Sequence, residues 1–108
     1  MAAPDPAGEA PRALHLLIHG HVQGVGFRWA LAQQATALGL VGWVRNRSDG
    51  RSVEALAWGP ASALRRLADW ARHGPATARV EQVEVREATA AEVAGLAASK
   101  RFEQRPTV

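Results

Sequence analysis

Apolar and polar positions follow two different periods along this chain. Leu14, Leu16, Leu17 and Ile18, with His15 and His19 among them, form a short, largely apolar run that stops at Gly20 and predicts a strand. From Phe27 the period lengthens. Phe27, Leu31, Ala35 and Leu38 fall on one helical face, and Gly39 supplies the stop. Residues 41–47 and 52–58 predict two more strands, joined through Ser48-Asp49-Gly50 as a hairpin. Gly59-Pro60 opens a second helix, because proline suits the first helical position. Its buried stripe is Leu64, Leu67, Ala68 and Ala71, its wet face Arg65, Arg66, Asp69 and Arg72, and Gly74-Pro75 ends it. Val83 and Val85 among Glu81, Glu84 and Glu87 predict a fourth strand with one solvated face. Thr89 with Glu92 is a capping-box spacing that predicts a short extra helix over residues 90–98, followed by a short edge strand over residues 102–105.

The order β-α-β-β-α-β is that of the split βαβ, ferredoxin-like α+β sandwich, an antiparallel sheet with two helices on one face. The 108 residues leave room for one small domain, and no internal repeat is visible. Residues 1–12, with Pro4, Pro6, Gly8 and Pro11, carry no periodic pattern and are expected to be a disordered tail before a domain at 13–108. A composition of 47% hydrophobic and 21% charged residues is that of a folded chain. The absence of cysteine excludes disulfides, thiolate metal sites and a cysteine nucleophile, and the absence of tyrosine excludes a phenolic acid. With no membrane-length apolar run and no secretory start, the expectation is a soluble protein of the cytoplasm. The net charge is only +3, which permits an anionic ligand without demanding a polyanion.

Two stretches carry candidate chemistry. Gln23-Gly24-Val25-Gly26-Phe27-Arg28 lies between a strand and a helix. Glycines let successive N–H groups converge as an anion nest, and the helix N-terminus adds favourable potential. Arg28, in the first helical turn, can fold back over the same spot with two parallel donors. No Gly-Lys-Ser/Thr follows, so this is not a nucleoside-triphosphate loop. The second stretch runs from Gly42 to Gly50. Asn46 is poor strand material there, and its amide both donates and accepts, so it can position a water or satisfy the hairpin's own backbone.

Together these stretches resemble the acylphosphatases, small enzymes that hydrolyse the carboxyl–phosphate anhydride of acyl phosphates. Gly20-His21-Val22-Gln23-Gly24-Val25-Gly26-Phe27-Arg28 matches the family's first signature, and Gly42-Trp43-Val44-Arg45-Asn46, Gly50, Val53 and Gly59 match its second. The resemblance implies that Arg28 and the backbone N–H groups of Gln23, Gly24, Val25, Gly26 and Phe27 bind the phosphoryl group, while Asn46 orients the attacking water. It implies no metal and no cofactor, a small-molecule acyl phosphate as substrate, no nucleic-acid or membrane partner, and a monomer. Two departures stand out. Arg51 and Ser52 both separate Gly50 from Val53 where the family usually has one residue, which bears on the register at Asn46. Residues 88–100 are longer and more helical than is usual, which bears on the last strand.

Other residues are weighed against blander roles. His15, His19 and His21 share one strand parity, but two-residue spacing on a single strand is a weak metal signal, and they stay outside the catalytic set. Trp43 matches an aromatic position of the second signature and is expected to pack. Trp29, Trp58 and Trp70 are expected as core or half-buried anchors. RNA-recognition domains share the element order, yet the strands here lack their stacked aromatics. An anion sensor without turnover remains the alternative within the same fold.

Overall fold

The computed structural model describes residues 10–108, so most of the expected tail lies outside the described residues. The elements are β1 (Pro11–His21), α1 (Phe27–Ala37), β2 (Val41–Asn46), β3 (Ser52–Pro60), α2 (Ala61–Ala71), β4 (Arg79–Glu87), α3 (Ala90–Ala94) and β5 (Phe102–Arg105). Pro11 and Arg12 belong to β1 rather than to a tail, because they pair with Pro60 and Gly59 at the far end of β3. Pro60 closes β3 in an extended conformation and caps α2 from outside, one position before the first helical residue.

The sheet order is β4-β1-β3-β2-β5. The four strands of the split βαβ unit are antiparallel neighbours, as the pattern implies. β5 is parallel to β2, which makes the five-stranded sheet mixed. The reason is the route of the chain: after β4 it crosses from one edge of the sheet to the other, and α3 lies on that crossing.

Helices α1 and α2 cover one face. Leu16, Ile18, Val44, Val53, Ala55 and Ala57 from the sheet meet Phe27, Leu31 and Ala35 of α1 and Leu64, Leu67 and Ala71 of α2, all buried. Burying a side chain such as Phe27 or Leu67 stabilises by about 2 kcal/mol each. The segment that follows β4 packs on the opposite face, where Leu96 covers Trp43 and Leu56. α3 is shorter than the capping pattern alone implies. Its capping box is complete, with both the Thr89 hydroxyl and the Glu92 carboxylate engaged, but Gly95 caps it after Ala94.

The rest of that opposite face is polar and internally paired. The His15 ring meets the Glu54 carboxylate at 2.7 Å, and Arg45 Nε donates to the same carboxylate at 2.8 Å. His19 meets Glu84 at 2.6 Å. A β-bulge between His19 and Gly20 interrupts the parity, and His21 beyond it is exposed. Trp43 is buried as a packing residue, with the guanidinium groups of Arg45 and Arg105 at 4.6 and 5.1 Å from its ring. Among the described residues no helix is long and apolar enough to cross a membrane.

Candidate active site

The site begins with the turn between β1 and α1. Gly24 and Gly26 adopt φ of +74° and +78°, a left-handed conformation that side chains with a Cβ resist. Gly26 is also the N-cap of α1, and no side chain caps the helix there. The first-turn N–H groups of α1 therefore have no intrahelical acceptor and no capping oxygen, and no acidic residue occupies the turn. Phe27 anchors the turn from below, buried to 1% exposure against Trp70 with ring centroids 5.4 Å apart. Thr77 holds it from the side by donating to Val25 O at 2.8 Å.

The turn is also tied to the β2–β3 hairpin. Gln23 Nε2 donates to Arg47 O at 2.6 Å and to Ser52 O at 2.9 Å. The pairing of β2 with β3 is continuous from Val41 opposite Trp58 to Asn46 opposite Val53, so the longer hairpin introduces no bulge at Asn46. The extra residue is taken up at the tip. Asp49 accepts from Arg51 N at 2.8 Å, from Ser52 N at 2.9 Å and from Ser52 Oγ at 2.6 Å. The Ser52 hydroxyl and the Arg51 amide hold the Asp49 carboxyl below the usual carboxylate range. Gly42 explains itself at the other end of β2: a Cβ there would lie 1.9 Å from Leu56 O, so the strand pair closes only over glycine.

Strand alternation places Asn46 on the face of Val44, the face covered by α1. Gln104 of β5 pairs with Val44 and shares that face. The result is a cavity of about 240 Å³ lined by Val22, Gly24, Gly26, Phe27, Arg28, Trp29, Asn46 and Gln104, with no carboxylate among them. Arg28 Nη1 donates to Arg105 O at 3.0 Å, so the guanidinium is steadied from β5. Asn46 Oδ1 is buried and accepts no hydrogen bond from the protein. The oxygen therefore keeps its capacity to accept a hydrogen bond.

The family model of the acylphosphatases matches residues 14–103. The chain belongs to the acylphosphatase family. It is 55% identical over 94 residues to an acylphosphatase of Acidovorax sp., spanning 87% of this chain and 90% of that protein. The crystal structure of acylphosphatase from Bacillus subtilis superposes with a TM-score of 0.76 at 34% identity, over 89% of this chain and 99% of that one. An acylphosphatase from Coxiella burnetii gives 0.77 at 30% identity, over 88% and 93%. As a member of the acylphosphatase family the chain is an enzyme, and the family's reaction is hydrolysis of acyl phosphates.

Arg28, Asn46 and the Gly24–Gly26 turn, separated in the acylphosphatase signatures, thus border one cavity. Three features of the site escape the sequence reading. The Gln23 side chain acts as a tie to the hairpin, although only its backbone N–H was expected to matter. The acceptor for Arg28 comes from β5, and no local pattern announces it. Trp29 is neither core nor half-buried: it is 60% exposed and lines the cavity. Its signal was in the helical stripe, because two residues after Phe27 is roughly 200° around the helix from the buried face.

Proposed function

We propose that this chain hydrolyses small-molecule acyl phosphates by direct attack of water on phosphorus, with Arg28 and the backbone N–H groups of Gln23 through Phe27 holding the phosphoryl group and Asn46 orienting the water. The water oxygen forms the new P–O bond. The P–O bond to the acyl oxygen breaks, its electron pair leaves with the carboxylate, and the second water proton passes to a phosphoryl oxygen, giving carboxylate and inorganic phosphate. A carboxylate is already a good leaving group, so no general acid is needed. The phosphoryl transition state is loose and asks mainly for positioning and for charge stabilisation on its equatorial oxygens. Preorganised N–H donors and a guanidinium meet that demand in a cavity free of carboxylates.

The observation that carries the reading is the convergence on one cavity of an uncapped helix start, a guanidinium and an amide whose oxygen the fold leaves unbonded. The Arg28 guanidinium is held at its back by Arg105 O, which keeps its other donors available. The same reading has the protein working as a monomer in the cytoplasm with no metal, which sedimentation of the purified chain and assay in EDTA check. Hydrolysis of benzoyl phosphate, followed by ultraviolet absorbance with EDTA present, is the direct test. Turnover is expected in the wild type and a fall of ~10²–10³ in kcat for Arg28→Ala and for Asn46→Ala, the scale of a lost oxyanion donor. Saturable phosphate binding without turnover would instead make the protein an anion sensor.

A further inference from the structure

We propose that Trp29 is the acyl-side wall of this site and that it biases the enzyme toward acyl phosphates with flat, apolar acyl groups, aroyl phosphates above all. The inference rests on the reading of the cavity as the phosphoryl site and adds the half of the substrate that the phosphoryl contacts leave unread. An acyl phosphate has two chemically opposite ends. The phosphoryl end is a compact anion, which the glycine turn and Arg28 suit. The acyl end gains nothing from N–H donors and is recognised, where it is recognised at all, by apolar surface.

Trp29 is the only aromatic residue of the cavity lining that is not buried: Phe27 is 1% exposed, Trp29 60%. It sits in the first turn of α1, next to Arg28, and both residues line the same cavity. The ring is not part of the apolar core. It is absent from both apolar clusters, and it has no ring partner and no cation over its face among the described residues. The buried stripe Phe27, Leu31 and Ala35 holds α1 without it. The lining's contribution from β5, Gln104, is neutral and exposed, and no carboxylate lines the cavity, so Arg28 is its one charged side chain. An aromatic acyl group stacked on Trp29 would exclude water from the two facing rings.

The experiment compares benzoyl phosphate with acetyl phosphate, which share the phosphoryl group and differ in the acyl group, for wild type, Trp29→Ala, Trp29→Phe and Arg28→Ala. The expected result is a wild-type kcat/KM favouring benzoyl phosphate. In Trp29→Ala that ratio falls about fivefold to tenfold, chiefly through KM, the scale of one aromatic contact. Acetyl phosphate kcat/KM falls by clearly less than that of benzoyl phosphate, and Trp29→Phe restores most of the preference. An unchanged benzoyl-to-acetyl ratio in Trp29→Ala, with Arg28→Ala inactive on both substrates, overturns the acyl wall while leaving the phosphoryl site standing. Equal losses on both substrates in Trp29→Ala also overturn it, since they make Trp29 a support of α1. If the wild type hydrolyses neither substrate, the underlying reading of the cavity fails, and the acyl wall with it.

Discussion

Gln23 shows how one side chain converts two sequence motifs into one site. Its Nε2 reaches Arg47 O and Ser52 O on either side of the hairpin, just beyond Asn46, and so ties the glycine turn to the strand that carries the amide. Both carbonyls have a second donor, Gly50 N for Arg47 O and Arg47 N for Ser52 O, so losing the glutamine orphans neither. Gln23→Ala is therefore expected to cost only about 1 kcal/mol in stability. It should lower kcat/KM by about tenfold, because small misplacement of reacting groups is expensive. Chemical denaturation beside steady-state kinetics separates the two effects, and a stability loss with unchanged kinetics would remove Gln23 from the site. The motif residues Arg28 and Asn46 were legible from the sequence because glycine spacing and side-chain chemistry are local properties. The tie between them was not, because a glutamine's partners are two carbonyls more than twenty residues away.

At the scale of elements, the capping box of α3 was readable from Thr89 and Glu92, and so was its end, since Gly95 is the same stop signal as Gly39 although the capping pattern alone carries the helix on to residue 98. Arg86 of β4 closes on the Glu92 carboxylate with two bonds, at 2.8 and 3.1 Å. The Arg86 guanidinium and the Thr89 amide bring the Glu92 carboxyl down from 4.5 to about 2. A carboxyl depressed in the folded state favours folding while it is ionised. Its contribution is complete above about 4.5 and disappears as pH falls toward about 2. Thermal midpoints of wild type and Glu92→Gln measured from pH 7 down to pH 2 should therefore converge over that window. Equal midpoints for the two proteins already at pH 7 would mean that α3 is held by Leu96 on Trp43 and Leu56, and not by the cap.

Across the whole molecule, one face of the sheet serves α1, α2 and the site, while the other is held by a charged network. Glu54, near the start of β3 and 8% exposed, gathers His15 of β1 and Arg45 of β2, with Arg47 at 3.7 Å. Burial alone would push the Glu54 carboxyl up, but the hydrogen bonds from His15 and Arg45 and the charge of Arg45 outweigh it and hold it below its ordinary value. An ionised carboxylate only accepts, so His15 Nε2 carries the proton of that bond. Glu54→Gln is expected to destabilise by about 2–3 kcal/mol at neutral pH, because the Arg45 cation loses its counter-charge in a half-dry setting. The gap between variant and wild type should narrow below pH 4.5 as Glu54 takes up its proton, and urea midpoints at neutral and acid pH check the sign. The sequence by itself determined the element order, the helix that starts at Phe27, and the two motifs with Arg28 and Asn46. Each follows from periodicity or local backbone chemistry, which neighbouring residues settle among themselves. The tertiary structure alone decided that β5 runs parallel to β2 and steadies Arg28, that the longer hairpin closes through Asp49 with no bulge at Asn46, and that Trp29 faces a cavity instead of the core. These depend on partners distant in the chain, and strand direction, bond acceptors and exposure exist only once the sheet has closed.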